Sequence, residues 1–485
     1  MASPAPLRSL GSASEPRAFA RARTLFREAA QRVPAYRNFL KKHGIDAKKI
    51  RSREDFAHVP LTDKLNYIAK YSLAELSWDG KLQAKYISSS SGSTGVPFYW
   101  PRGTNQDTIS GLTFRRVYED IFGSRHGRTL CVNSYALGTW LAGFELYNST
   151  KWVAEHGSVI VSTTPGIDKA VTMDVVKKLS PSFERIVLAG YPPFVKDIIE
   201  HGISNKFKWK DHDIRLITAG EAVSELWRSH VLGLIGKSGS LTSLTNMYGM
   251  AETGIVAHET PASILLRQTA EHTPELCAKL PDLDQVAGLY QYAPLARYFE
   301  TVQDSLVLTT DAGLPLIRYD THDRGSILPH TAVERFSDGL FTKTARERGI
   351  SLAMWKSPYL FMYDRKDLAI SFYALLIYVE HVKRAFESYK SASKLSGLFT
   401  MSVGHTKTMD QQFTIVVELA RHIKPQAGLA KDIARHTVHV LCNINSEYAK
   451  LYRTLGKRAE PNIELVWYGK IQTSPGKKHR WIRRS

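Results

Sequence analysis

Short apolar runs alternate with helical stretches between residues 128 and 330, and this alternation limits the fold more than any other feature of the sequence. Helix candidates such as 168–180 and 193–201 lie between runs that each predict a buried strand ending in small or polar residues: TLCVNSY (129–135), SVIVSTT (158–164), RIVLAG (185–190) and IRLITAG (214–220). Strand–helix–strand units of this kind form right-handed crossovers between parallel strands. The sequence therefore predicts a layered α/β domain.

The flanking regions have other patterns. Residues 16 to about 45 carry apolar side chains at helical spacing, and 300–345 alternates in the manner of β-strands interrupted by glycines. After about residue 365 a mixed α+β pattern follows, with YVEHVKRAFESYK as a helix and FTIVVELA and IELVWYG as strands. We therefore expect a large N-terminal domain over 1–366, helical over about 1–80, and a smaller α+β domain over 367–485.

Length and composition are typical of a multidomain globular protein. The chain has 485 residues, of which 43% are hydrophobic and 23% charged. No run of about 18 apolar residues predicts a membrane span. The N-terminus lacks the apolar core of a secretory signal, and a frayed tail is the ordinary interpretation, with an arginine-bearing transit peptide as the alternative. Cys131, Cys277 and Cys442 are far apart, which suits a reducing cytoplasm.

The formal net charge is +19, and it is concentrated at the C-terminal end. Residues 368–485 contain 19 Lys and Arg against 8 Asp and Glu, a difference of 11 charges. Such a surface attracts nucleic acid, acidic lipid, phosphorylated cofactors or an acidic carrier protein, and a solvated surface that aids solubility is the alternative. No zinc-finger spacing or RNA-binding aromatic motif favours a nucleic-acid module, so charge alone supports that role.

The segment SSSSGSTGVP (88–97) is either a flexible linker or a loop that surrounds a phosphate. It is not a P-loop, because Phe98 stands where a lysine would be expected. Its context favours the phosphate loop, since further motifs follow in a fixed order: ITAGEAVSELWR (217–228), NMYGMAETG (246–254), PLIRYDTHDRG (315–325), YDRKDLAISFYALLIYVEHVKRAF (363–386) and TSPGKKHRWIRR (473–484).

With these motifs the chain resembles the adenylate-forming superfamily of acyl-CoA synthetases and adenylation domains, and most closely its phenylacetate–CoA ligase branch. The branch assignment depends on VPAYRNFLKKHGIDAKKIRSREDFAHVPLTDK (33–64), on Phe98 and on GTWLAGFE (138–145). The resemblance extends from about residue 25 to 484. It implies an α/β fold, a mobile C-terminal domain, and an ATP- and Mg²⁺-dependent reaction that joins a carboxylate to AMP and passes the acyl group to a thiol.

The resemblance also implies roles for individual residues. Tyr248 would lie against adenine, Asp323 would accept hydrogen bonds from the ribose hydroxyls, and Glu252 would hold Mg²⁺. Gly220, Glu221 and Gly249 would border the nucleotide, and Arg365 would approach the ribose or phosphates. The loop over the β- and γ-phosphates would consist of Ser89, Ser90, Ser91, Gly92, Ser93, Thr94 and Gly95.

Three further assignments follow from the resemblance. Asp367 would be the hinge between the domains, and Lys477 would bridge the carboxylate and the α-phosphate as a catalytic residue with Glu252. For Lys477 and Lys478 a solvated basic tail is the alternative. An apolar acid-binding slot would be formed by Tyr135, Gly138, Trp140, Gly143 and Phe144. Ordinary core packing is the alternative for these aromatic residues.

The sequence departs from the family pattern at the ribose motif (Asp320 and His322), at the hinge (Asp364), and beyond it, where Ala374 and Val379 replace the usual glycine and proline. In this family the glycine-bearing segment lines the passage for the pantetheine arm, so a methyl group there could narrow it. Adenylation is therefore better supported than transfer to CoA.

The function expected from the sequence is activation of a small, aromatic or otherwise planar carboxylic acid, with CoA as acceptor and a homodimer as a possible assembly. The alternatives are transfer to the phosphopantetheine of a carrier protein or to an amine. A catalytically inactive nucleotide-binding or nucleic-acid-associated protein is the alternative of another class.

Overall fold

The computed structural model describes residues 15–89, 98–125, 127–139, 141–281, 286–363, 369–471 and 482. They divide into two compact units. Residues 15–89 and 99–363 belong to the first, and 369–471, with Phe98 and Ile482, to the second. The predicted α/β class is confirmed, whereas the domain limits of 366 and 367 lie among residues outside the described ranges.

The first unit contains helices and strands in alternation. Its helices are α1 (Glu15–Arg32), α2 (Pro34–Lys42), α3 (Arg53–Ala57), α4 (Leu73–Leu76), α5 (Thr104–Arg116), α6 (Leu141–Glu155), α7 (Lys169–Leu179), α8 (Pro192–Ser204), α9 (Glu225–Leu234), α10 (Pro261–Glu271), α11 (Pro274–Cys277), α12 (His330–Phe336) and α13 (Leu340–Glu347). Its strands are β1 (Tyr86–Ser89), β2 (Tyr99–Arg102), β3 (Thr129–Asn133), β4 (Ile160–Thr163), β5 (Arg185–Gly190), β6 (Asp213–Ala219), β7 (Leu244–Met250), β8 (Gly254–His258), β9 (Val286–Gln291), β10 (Tyr298–Val302), β11 (Ser305–Asp311), β12 (Pro315–Leu328) and β13 (Tyr359–Tyr363).

Eleven of the described strands form one sheet in the order β10-β11-β12-β13-β9-β8-β7-β6-β5-β3-β4. The strands β4, β3, β5, β6 and β7 are parallel, whereas β8 and β9 extend the sheet in antiparallel fashion. The apolar side chains of β5 are almost completely buried, as expected for a strand covered by helices on both faces. The 14-residue strand β12 pairs with β11 through its first part and with β13 through its last, so it connects the β-rich stretch to the parallel strands.

Two details of the sequence-based prediction were wrong. Strand β4 is not buried: it is the last strand of the sheet, and Val159 and Val161 beside and within it are about half exposed, at 53% and 51%. The β-pattern predicted to continue to residue 345 ends at Leu328, because 330–347 has its buried positions Val333, Phe341 and Ala345 at helical spacing and forms α12 and α13.

The second unit is a smaller α+β structure. Its elements are β14 (Ala369–Phe372), β15 (Leu375–Tyr378), α14 (Val379–Glu387), β16 (Leu395–His405), β17 (Gln411–Leu419), α15 (Ala427–Ile444), α16 (Ser446–Leu455) and β18 (Asn462–Val466). Strands β14 and β15 form a hairpin, and β16, β17 and β18 form a sheet in that order. The predicted helix and strands of this region are confirmed. Within the described parts of the chain, no helix is both long enough and apolar enough to cross a membrane.

Candidate functional site

The predicted nucleotide site lies in the first unit, at the carboxyl ends of the parallel strands. Gly220 follows β6 directly and has a φ of +102°, a conformation that favours glycine and turns the chain away from the sheet. Glu221 comes next, and its carboxylate accepts a hydrogen bond of 2.7 Å from the Tyr191 hydroxyl, at the end of β5. In open α/β sheets, ligands bind at this end of the strands.

Asn246 on β7 connects three strands behind this edge. Its amide nitrogen donates to Thr218 Oγ1 and to the backbone oxygen of Glu221, at 2.9 Å each. Its amide oxygen accepts a 2.8 Å bond from the Tyr290 hydroxyl on β9. Asn246 is fully buried, so these bonds fix the Gly220–Glu221 turn against the neighbouring strand.

Tyr248 and Asp323 meet at the same edge, 75 residues apart in the chain. The Tyr248 hydroxyl donates a 2.7 Å hydrogen bond to Asp323 Oδ2. Both residues are mostly buried, at 6% and 9% exposure, and the Tyr248 ring stacks near Tyr290 with centroids 5.7 Å apart. Gly249 follows, where a Cβ atom would come within 2.9 Å of the Gly254 oxygen, so only glycine lets β7 and β8 approach this closely.

Glu252 lies in the short turn between β7 and β8. The guanidinium of Arg102 holds this turn by donating to the backbone oxygens of Ala251 and of Glu252, the latter at 3.1 Å. Gln106 adds a 3.1 Å bond to the Thr253 oxygen. The Tyr319 hydroxyl on β12 is 3.4 Å from Glu252 Oε1, a long hydrogen bond.

Burial raises the pKa of Glu252, and the nearby Asp323 carboxylate raises it further. The ammonium of Lys64 and the guanidinium of Arg102 act in the opposite direction and lower this pKa. The turn therefore brings together two carboxylates and two cationic side chains from distant parts of the sequence.

Backbone pairing brings Lys64 to this position. The residue two before it, Thr62, donates through its amide to the Arg318 oxygen at 3.0 Å and accepts from the Asp320 amide at 2.8 Å. Thr62 Oγ1 also donates to the Ile317 oxygen at 2.8 Å. The segment before α4 is thus fixed along β12, beside Tyr319.

The predicted phosphate loop stands in the sequence between two paired strands. Ser89 ends β1 opposite Tyr99 of β2, and its amide and hydroxyl donate to Thr139 O and Thr139 Oγ1 at 2.9 Å each. Ser90, Ser91, Gly92, Ser93, Thr94 and Gly95 lie outside the described residues, as do Arg365, Asp367, Lys477 and the departure at Asp364. Their predicted roles therefore remain predictions.

The structure brings part of the predicted acid-binding slot together. A Cβ atom on Gly143 would lie 2.7 Å from the Ala136 oxygen and 3.3 Å from the Tyr135 Cβ, so glycine permits this close approach. Tyr135 is buried in the main core cluster, whereas Phe144 is 37% exposed and packs on Tyr86 with ring centroids 4.6 Å apart. Gly138 has a φ of +94° in the loop before α6, and Trp140 lies outside the described residues.

At three positions where the sequence departs from the family pattern, the backbone conformation favours the residue that is usual in the family. His322 and Ala374 have φ values of +58° and +63°, which favour glycine. The Asp320 carboxylate accepts a 2.8 Å bond from the His322 amide and supports this turn. Val379 is the first residue of α14, the position where proline is preferred.

Sequence analysis missed Lys64, Arg102 and Asn246. The backbone oxygens that Arg102 contacts in the Glu252 turn are about 150 residues away in sequence, so no local pattern marks it as part of the site. Lys64 ends the segment 33–64, which in the sequence pointed only to a family branch. Asn246 is the first residue of the NMYGMAETG motif, but only the fold shows that its side-chain amide connects three strands.

Comparison with known proteins identifies similar enzymes. No protein-family model matches the chain. Over 231 residues it is 23% identical to a phenylacetate-coenzyme A ligase of Thermus thermophilus, a match that covers 46% of each chain. The chain is thus aligned with about half the length of this curated relative.

Solved structures match over nearly the whole chain. A 2-hydroxyisobutyryl-CoA ligase in complex with 2-HIB-AMP and CoA matches with a TM-score of 0.66 and 14% identity, covering 98% of this chain and 92% of that chain. A structure of the same ligase in the postadenylation state with R3-HIB-AMP matches with a TM-score of 0.57 and 14% identity, covering 100% and 94%. The chain therefore has the fold of the adenylate-forming ligases, and the predicted resemblance to that superfamily is confirmed.

Proposed function

We propose that the chain activates a small, aromatic or otherwise planar carboxylic acid with ATP and transfers the resulting acyl group to CoA. One carboxylate oxygen forms a bond to the α-phosphorus, and the bond from that phosphorus to the leaving pyrophosphate breaks. The thiol sulfur then bonds to the carbonyl carbon and AMP leaves. The hydrogen bond of Tyr248 to Asp323, next to Glu252 at the carboxyl ends of the strands, is the observation that carries this proposal.

The nucleotide would occupy the edge formed by β6, β7 and β12. Tyr248 offers a ring face for adenine, and the Asp323 carboxylate that accepts from its hydroxyl has several lone pairs, which suits it to the two ribose hydroxyls. Gly220, Glu221 and Gly249 would border the base, where the absence of side chains on the glycines permits a close approach. Ser89 to Gly95 and Arg365 would contact the phosphates and ribose.

The residues present fit a magnesium ion held together with the nucleotide. In the described part of the chain there is no group of three or more His, Cys, Asp or Glu side chains placed to bind a metal by themselves. Mg²⁺ in ATP-dependent enzymes is usually held by one or two carboxylates and the substrate phosphates, and Glu252 would supply one such carboxylate. A bound Mg²⁺ would neutralise phosphate charge.

Two cationic residues would assist in different ways. Lys64, whose ammonium acts on Glu252, is placed to attract the anionic reactants to the same turn. Arg102 is buried and donates to backbone oxygens, so it is a positioning residue for Glu252. Lys477 would supply the catalytic cation that bridges the carboxylate and the α-phosphate.

The acid would lie in the slot formed by Tyr135, Gly138, Trp140, Gly143 and Phe144. Gly143 packs closely against Tyr135 and the backbone of Ala136, so these residues would form one wall of the slot, with aromatic and glycine residues as its surface. Such a surface favours a planar, apolar acyl group. A charged side chain on the acid would find no partner among these residues.

The acceptor has an alternative, which depends on the departure from the family pattern at Ala374. In the β14–β15 hairpin Ala374 replaces the usual glycine, and its methyl group would narrow a passage for the pantetheine arm. Transfer to the phosphopantetheine of a carrier protein meets the same restriction, whereas transfer to a small amine does not. An amine is therefore the second candidate acceptor.

Product analysis tests the whole proposal. The protein is incubated with ATP, Mg²⁺ and a panel of aromatic and aliphatic acids, and acyl-AMP and AMP are measured by mass spectrometry. We expect acyl-AMP from at least one planar acid and its conversion to acyl-CoA when CoA is added. Acyl-AMP that persists with CoA but is consumed by an amine would assign the second acceptor, and no acyl-AMP from any acid would contradict the proposal.

A further inference from the structure

A small cavity lies inside the first unit, away from the residues assigned to the nucleotide. It is bounded by α5, β8 and the chain around the end of β9, and its volume is about 10 Å³. Its polar lining consists of Thr113, Arg116, His258, Gln291, Tyr292 and Arg297. No Asp or Glu is among the described residues that line it.

Arg297 is the feature of this cavity that requires an explanation. The residue is 1% exposed, and its Nη1 donates to Thr310 Oγ1 at 2.5 Å. Within the described parts of the chain, its Nε and Nη2 atoms have no acceptor, and no carboxylate forms an ion pair with it. A buried guanidinium with unsatisfied donors is costly unless an anion or another acceptor is supplied.

The neighbouring charges do not compensate this guanidinium. The carboxylate that acts on it most strongly, Glu145, accepts from Ser110 and from the Ile255 amide and also acts on Arg102. Asp311 contributes less than Glu145. Within the described part of the chain, neither carboxylate accepts a hydrogen bond from the Nε or Nη2 atom of Arg297.

The other ionisable residues of the cavity wall bring no negative charge to it. Arg116 donates to the Met354 oxygen at 2.6 Å and lies over the Trp355 ring, so it brings a second guanidinium to the wall. Burial lowers the pKa of His258 to about 4, so its imidazole is neutral at pH 7. Burial also lowers the pKa of Arg297, to about 10, which still leaves it protonated at pH 7.

We propose that this cavity binds one monoatomic anion, a halide such as chloride, against the guanidinium of Arg297. The volume is that of about one water molecule, so sulfate, phosphate and carboxylic acids are too large for it. The proposal concerns a second site and does not depend on the proposed ligase activity.

Bromide replaces chloride in such sites and is visible by anomalous diffraction. Crystals of the full chain grown with sodium bromide are measured at the bromine absorption edge. An anomalous peak in the cavity within contact distance of Arg297 supports the proposal. Density without an anomalous signal identifies a water only and overturns it.

Thermal denaturation tests binding in solution at ordinary concentrations. Sodium chloride is titrated against sodium gluconate at constant ionic strength for the wild type, for Arg297→Gln and for Arg37→Gln, which removes an exposed arginine instead. We expect a saturable chloride-specific rise of about 2 °C in Tm for the wild type and Arg37→Gln, and its loss in Arg297→Gln. If the Tm of the wild type depends equally on chloride and gluconate, chloride binds at most at crystal concentration, and the proposal is overturned. This outcome does not require Arg297→Gln to fold.

Discussion

Tyr248, Asp323 and Glu252 come from two strands and one turn, yet they act on one another directly. A hydrogen bond of 2.7 Å joins the first two, and the carboxylate of the second raises the pKa of the third. We therefore expect a substitution at each of these residues to have a specific effect on ATP-dependent activity. Lys64 belongs to the same group because its ammonium lowers the pKa of Glu252, whereas the Asp323 carboxylate raises it.

Tyr248→Phe keeps the ring and removes the hydroxyl that orients Asp323. A hydrogen bond to a charged group is worth about 1.5–3 kcal/mol, so we expect the KM for ATP to rise about tenfold or more. The measurement is the ATP dependence of pyrophosphate exchange. Tyr118→Phe is the matched control, a buried tyrosine whose hydroxyl bonds to Thr150 Oγ1, and a comparable rise in that variant would refute the assignment.

Lys64→Met should change the pH dependence of activity. A carboxylate with a raised pKa is ionised only above that pKa, so activity that requires ionised Glu252 increases as pH rises through it. Removing the ammonium raises this pKa further, and the acid limb of the exchange profile should move to higher pH. The exposed Lys70→Met serves as control, and an unchanged acid limb in Lys64→Met would contradict the role given to Lys64.

At the scale of elements, the parallel strands were predictable and the site only in part. Strands such as RIVLAG are continuous apolar runs because helices cover both faces, and that pattern is local. Arg102 and Lys64 reach the site through contacts that bridge more than 100 residues, which no local pattern encodes. The wrong prediction for β4 has the same origin, since a sequence does not show which strand ends a sheet.

The turn at His322 stores conformational strain. A left-handed conformation costs an ordinary residue about 1 kcal/mol or more relative to glycine. We therefore expect His322→Gly to be more stable than His322→Ala by about 1 kcal/mol, a comparison in which loss of the imidazole cancels. Thermal denaturation measures the difference, and an alanine variant as stable as the glycine variant would mean that the turn is not strained.

The β14–β15 hairpin turns through Tyr373 and Ala374, both with positive φ. Two-residue turns of this kind prefer glycine, so Ala374→Gly should slow amide hydrogen exchange over 369–378. Ala374→Val should accelerate it, because a β-branched residue tolerates positive φ poorly. The opposite order would refute the conformation assigned to this turn. If the methyl group restricts thiol access, Ala374→Gly should also increase acyl-CoA formation.

For the whole molecule, the proposed reaction requires both the predicted nucleotide site and the predicted catalytic lysine. The first unit supplies Tyr248, Glu252 and Asp323, whereas Lys477 belongs to the sequence after β18 and its role comes from the resemblance alone. Rotation of the C-terminal domain about Asp367 between the two half-reactions is likewise a prediction. Ordered motifs predicted the fold that the chain shares with a solved CoA ligase, although its identity to that ligase is only 14%.

Acid-dependent ATP–pyrophosphate exchange tests the central claim most directly, because it reports adenylation without any acceptor. We expect the wild type and Lys478→Ala to catalyse exchange with at least one planar carboxylic acid. Lys477→Ala should bind ATP with unchanged affinity and exchange at least about 100-fold more slowly, as expected when a cation that stabilises transition-state charge is lost. Exchange by Lys477→Ala at the wild-type rate would show that this lysine is misassigned, and no exchange by the wild type with any acid would contradict the claim that the chain forms acyl adenylates.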